Sequence, residues 1–142
     1  MPISNVRLVR WVGHAVGTLT QTVLLNLLVA DMATPEKKVK DKVKKILEEH
    51  GAYYFMPATG GYGKSGVPDL VACLHGKFIG IECKANGGKP TALQEKNLND
   101  IMNHGGIAIL VDEGGIDSFK ALLGGELPKA GILFDLLTSY KE

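Results

Sequence analysis

Cysteine is scarce in this chain, and so is excess charge. Only Cys73 and Cys83 occur among 142 residues, both inside apolar runs with no CxxC spacing and no histidine at ligand distance. That excludes a disulfide framework and a thiolate zinc site, and the expectation is two reduced, buried thiols in a cytoplasmic protein. Sixteen basic residues stand against fifteen acidic ones, a formal net charge of +1, so no whole-molecule field draws the chain to a polyanion. Any basic footprint is local. Internal repeats and low-complexity tracts are also missing. What remains is enough chain for one globular core, held without staples.

Charge is missing altogether between Trp11 and Ala30, a stretch flanked by Arg7, Arg10 and Asp31. Its length would span a bilayer, and two leading arginines also suit a leader peptide. Gly13, His14, Gly17, Thr18, Thr20, Gln21, Thr22 and Asn26 dilute it, so membrane insertion is not expected. Residues 1–31 are therefore set apart as an extension (an upstream start, a leader or an anchor), and 32–142 are expected to form one domain.

Thr34-Pro35 has the form of a helix start. Val39, Val43, Ile46 and Leu47 then recur at helical spacing until His50-Gly51. Lys37, Lys38, Lys40, Lys42, Lys44 and Lys45 crowd this helix, as a solvated face or as a footprint for nucleic acid, with Lys37 and Lys40 the candidate contacts. Residues 52–57 are aromatic-rich and predict a strand. A glycine-dense loop follows, then two apolar runs, Asp69 to Leu74 and Lys77 to Ala85, around a two-residue His75-Gly76 hairpin turn. Thr91-Ala92-Leu93-Gln94 opens a second helix as a capping box, and Ile107 to Val111 is a wholly apolar strand suited to a parallel neighbour. Ile116 to Leu123 and Ile132 to Leu137 are expected to be helical. The result is an α/β domain, helix, three strands, helix, strand, with a mixed sheet flanked by helices.

The hairpin has a chemical consequence. If Leu74 pairs with Lys77, Asp69 falls opposite Glu82, with Cβ atoms about 4.5–5.5 Å apart on one face. Two carboxylates at about 5 Å repel by roughly 3 kcal/mol at an effective dielectric of 20. Lys84 lies on the same face two residues on, but one ammonium does not balance two carboxylates; a divalent cation does. Oxygen ligands favour Mg2+ or Mn2+ over zinc. Ile79, Ile81 and Cys83 face the other way, toward a core. Glu36 shares a stripe with Val39 and Val43, and Gln94 shares one with Leu98 and Ile101, so both aim at the sheet. Each also has a plain structural role, Glu36 against the helix dipole and Gln94 in the capping box.

Pro68-Asp69, a hairpin, then Glu82-Cys83-Lys84 resembles the PD-(D/E)XK nuclease superfamily. The longer run GVPDLVACLHGKFIGIECKANGGKPTALQEKNL, followed by GGIAILV, is similar to its VRR-NUC branch from about Thr34 to Val111. The resemblance implies a restriction-endonuclease-like core and metal-dependent hydrolysis of DNA phosphodiesters. It makes Glu36 (the first-helix acid), Asp69, Glu82 and the Cys83 backbone carbonyl metal ligands. Lys84 becomes the lysine that orients or deprotonates the attacking water, and Gln94 the glutamine of the next helix. It further implies a stand-alone, phage-type homodimer acting on branched DNA such as four-way junctions, in the cytoplasm of an infected bacterial host. Residues 1–31 have no counterpart in that pattern.

Two alternatives stay open. One is a DNA-binding module of the same fold without turnover, which predicts a missing ligand or lysine, and none is missing. The other comes from ATGGYGKS, Ala58 to Ser65, a loose phosphate-loop pattern. A true phosphate loop runs into a helix at its Lys-Ser, whereas Gly66, Val67 and Pro68 here lead into a strand. The expected role of the loop is instead to let Tyr62, Lys64 and Ser65 touch DNA, by stacking or on phosphate. Leu122, Leu123, Leu133, Phe134, Leu136 and Leu137 are either core or a dimer surface.

Overall fold

The computed structural model describes residues 17–58 and 63–138. The chain divides into two units, Met1–Thr34 and Pro35–Glu142. In the first, helix α1 covers Gly17–Asp31, with Val23, Leu25, Leu27 and Leu28 exposed. Among the described residues no helix is long and apolar enough to cross a membrane.

The second unit is built on helix α2 (Pro35–Glu49), strands β1 (Tyr53–Phe55), β2 (Leu70–Leu74) and β3 (Lys77–Cys83), helix α3 (Ala92–Asn103), strand β4 (Ile107–Val111), helix α4 (Ile116–Gly124) and strand β5 (Ile132–Leu136). The sheet order is β1-β2-β3-β4-β5. β1, β2 and β3 run antiparallel, whereas β3, β4 and β5 run parallel. The hairpin pairs Leu74 with Lys77 and Leu70 with Ile81, as the two-residue turn requires. His75 and Gly76 both take positive φ, the geometry that fits the twist of a tight hairpin.

Each face of the sheet has its own core. Val39, Val43, Ile46 and Leu47 of α2 and Phe119 and Leu123 of α4 pack against Leu70, Ala72, Ile79, Ile81 and Cys83. On the other face, Leu98 of α3 packs with Ala108, Leu110 and Leu137. Gly80 sits under α3 because a Cβ there would lie 2.5 Å from Ile101 Cδ1 and 3.1 Å from Pro68 Cγ.

Two expectations change, and one open alternative closes. Ile132–Leu136 is a strand, not a helix: the open edge of β4 supplies a hydrogen-bond ladder, and five residues make a poor helix but an ordinary strand. Cys73 is exposed, because it lies between Tyr53 and Phe78 on the part of the sheet that α3 does not cover. Cys83 is buried as expected. The leucine-rich C-terminal patch is core: Leu123 and Leu137 are buried, and Leu122, Leu133, Phe134 and Leu136 pack against the two clusters.

Candidate active site

Glu82 stands near the end of β3, on the face turned toward α3, and is only 1% exposed. Its Oε1 accepts a hydrogen bond from Gln94 Nε2 at 2.6 Å and lies 3.2 Å from Lys84 Nζ. Its Oε2 is buried without a hydrogen-bond partner among the described residues. A buried carboxylate oxygen left in that state is costly, and such groups call for an explanation such as an ion.

The hairpin register brings Asp69, which immediately precedes β2, opposite Glu82. Asp69 Oδ2 accepts from the Cys83 backbone N–H at 2.9 Å, and Oδ1 lies 3.1 Å from Lys40 Nζ. Lys84 Nζ donates to Gln94 Oε1 at 3.0 Å, and its backbone N–H extends the ladder to Val111 O at 2.9 Å. Gln94 turns out to hold both of its alternative roles. Its Oε1 accepts from Thr91 N at 2.8 Å and completes the capping box, while its amide grips Glu82.

Glu36, expected as a direct metal ligand, reaches the cluster only through Lys40. Its Oε1 lies 3.2 Å from Lys40 Nζ, so the lysine stands between Glu36 and Asp69. Burial pulls the Lys40 ammonium toward neutrality, but its hydrogen bonds to Asp69 and Glu36 win, and its pKa is raised. Burial, with the Asp69 charge adding to it, pushes Glu82 up to about 7, against the pull of Lys84. Burial beside Asp69 and Glu82 raises the Cys83 thiol far above its ordinary value. It stays protonated and is no nucleophile.

With Glu82 ionised, three carboxylates face two ammoniums. Among the described residues no three His, Cys, Asp or Glu side chains form a group that could hold a metal unaided. The donors on offer are Asp69, Glu82 and main-chain oxygen at Cys83. The unpaired Oε2, hard oxygen donors and residual negative charge fit a divalent cation of the magnesium type.

Residues 63–67, the described end of the glycine-rich loop, lie on the side of α3. Lys64 and Ser65 precede a turn and then β2, with Gly66 at φ +75°, so no helix begins at them. This removes the structural basis for a phosphate loop. Asn97 anchors the segment, its amide donating to Ser65 O at 3.1 Å and to Leu93 O at 2.9 Å. Lys64 lines a cleft of about 570 Å³ together with Phe55, Pro68, Phe78, Ile101 and His104. Tyr62 lies outside the described residues. Lys37 is exposed and paired with Asp41 at 2.7 Å, away from the carboxylate cluster.

Asn97 escaped sequence reasoning, and Lys40, expected as a DNA contact, is instead paired with Glu36 and Asp69. The place of Lys40 among the carboxylates is signalled only by its spacing of four from Glu36. Asn97, 4% exposed, is signalled only as a polar residue three after Gln94 on an otherwise apolar stripe.

Comparison with known proteins agrees with this geometry. The family model described as archaeal Holliday junction resolvase (hjc) matches residues 36–109, more than half of the chain. Nuclease p44 of Acyrthosiphon pisum secondary endosymbiont phage 1 is 38% identical over 84 residues, which cover 58% of this chain and 84% of that protein. A solved VRR_NUC domain aligns with a TM-score of 0.56 at 24% identity, over 65% of this chain and 97% of its own, a likeness of fold. Sequence, sheet and site agree that the chain belongs to the archaeal Holliday junction resolvase (Hjc) family, as a PD-(D/E)XK DNA nuclease with the VRR-NUC fold.

Proposed function

We propose that this protein is a divalent-metal-dependent endonuclease that cuts branched DNA, four-way junctions in particular, as a homodimer. The observation that carries the metal is the buried, unpartnered Oε2 of Glu82 beside Asp69 and Lys84. The preference for branched DNA comes from the family whose model covers residues 36–109.

Asp69, Glu82 and the Cys83 carbonyl would hold Mg2+ or Mn2+, which would supply Lewis-acid chemistry, activating water and offsetting phosphate charge. Lys84 either orients the attacking water as the ammonium or, as the free amine, takes its proton and becomes the ammonium; in both cases it sets a positive charge against the charge developing on phosphorus. Gln94 holds Glu82 and Lys84 in one hydrogen-bonded unit and so keeps both in place. Glu36 acts on the site through Lys40. Tyr62, Lys64 and Ser65 meet the DNA, with Lys64 at the mouth of the cleft beside Pro68.

The test mixes the protein with labelled four-way junction, flap, linear duplex and single-stranded DNA, with Mg2+, with Mn2+ or with chelator. Cleavage of the junction above the others is expected, with loss on chelation. The Lys84→Ala variant is expected to cut at least about 100-fold more slowly, the scale of losing one fixed transition-state charge. Cleavage that survives chelation removes the mechanism. Tight junction binding without cleavage points instead to a binding module.

A further inference from the structure

A lysine in the first turns of a helix ordinarily points its ammonium to water. Lys40 does not. Its Nζ lies 3.1 Å from Asp69 Oδ1 and 3.2 Å from Glu36 Oε1, and its side chain is 23% exposed. An ammonium ion between two carboxylates stands where a second metal ion would bridge them. The first position is different in kind, because it centres on Glu82 Oε2, which has no partner.

We propose that Lys40 is the resident second cation of this site, so that the protein loads one divalent ion and the lysine excludes another. The inference rests on the metal-dependent nuclease reading above. Charge supports it. Glu36, Asp69 and Glu82 carry three negative charges, and Lys40 and Lys84 return two, leaving one. A single divalent ion and one bound phosphodiester bring the total to zero. A second divalent ion would leave two positive charges in a partly buried site, where bound ions dominate the local field. Lys40 also fixes geometry: by holding Oδ1 of Asp69 while the Cys83 N–H holds Oδ2, it sets the plane of that carboxylate before any metal arrives. Glu36, four residues before Lys40 on the same helix, holds the lysine in turn.

Isothermal titration of the full chain with Mn2+, and electron paramagnetic resonance of the loaded protein, test this without reference to cleavage. Wild type is expected to bind one ion per chain and to give a mononuclear Mn2+ signal. Lys40→Gln, which keeps the length and removes the charge, is expected to bind two and to show the spin coupling of a dinuclear pair. Lys40→Arg, which keeps the charge, is expected to bind one. Two ions on wild type, or a single ion on Lys40→Gln with a mononuclear signal, overturns the inference and leaves the metal-dependent reading standing. No binding by wild type overturns both.

Discussion

Glu82 concentrates the conflict of the site at one residue. The fold needs it buried at the end of a strand, and the chemistry needs it charged. Its ordinary pKa of 4.5 rises to about 7 because burial and Asp69 disfavour the anion. Between those values the folded protein holds a proton that the unfolded chain has lost. The metal-free protein therefore loses stability as pH rises from about 4.5 to about 7, and no more from this source above it. Thermal melts in chelator should show Glu82→Gln melting above wild type at pH 8, by on the order of 2 kcal/mol, with the gap closing near pH 4.5. Added Mg2+ should raise the wild-type melting temperature more at pH 8 than at pH 6, since below about 7 it competes with a proton. Glu82→Gln should lose that response. A wild-type stability that climbs through this window would contradict the assignment.

Helix α3 is the element on which the site depends, since it carries Gln94 and Asn97 and rides on β3 at a glycine. Gly80→Ala places a methyl group against Ile101 and Pro68. The expected cost is roughly 1–3 kcal/mol from overpacking, with a further fall in turnover as Gln94 shifts. Urea unfolding and cleavage rates check the two separately. At the same end of the sheet as Glu82, just past β4, buried Asp112 accepts from Gly114 N, Gly115 N, Thr138 N and Thr138 Oγ1, and so ties the segment after β5 to the turn before α4. Asp112→Ala is expected to cost on the order of 3 kcal/mol, because several donors lose one acceptor together.

These elements also show what was legible. The hairpin register was, because a two-residue turn with fixed period leaves no freedom, and the register alone set Asp69 against Glu82. The capping box was legible because its residues are neighbours in sequence. β5 was not: ILFDLL fits either element when read locally, and only the unpaired edge of β4, some twenty residues earlier, decides it. Lys40 was misleading for a similar reason. Its sequence neighbours are other lysines, whereas its partner Asp69 comes from a different element.

At the scale of the whole molecule, every buried apolar residue described lies between Val39 and Leu137. We expect a chain starting at Met32 to keep the melting temperature and cleavage of the full protein to within a few degrees and about twofold, since surface changes seldom exceed 0.5 kcal/mol. A large loss would give residues 1–31 a structural role. Net charge of +1 makes DNA affinity depend on few local cations, so its salt dependence should be shallow, and Lys64→Ala should reduce the slope by about one. With the C-terminal leucines in the core, the exposed Tyr53, Phe55 and Phe78 of β1–β3 offer a surface on which the proposed dimer can be tested. Light scattering should find Phe78→Lys monomeric if that face joins two copies.

Gln94 has one more implication. The same amide oxygen that accepts from the Thr91 N–H at the start of α3 also accepts a hydrogen bond from Lys84, while its nitrogen donates to Glu82. Fraying of the first turn of α3 would therefore release the acid and the lysine together. We expect closing of the first turn of α3 and positioning of Glu82 and Lys84 to be coupled.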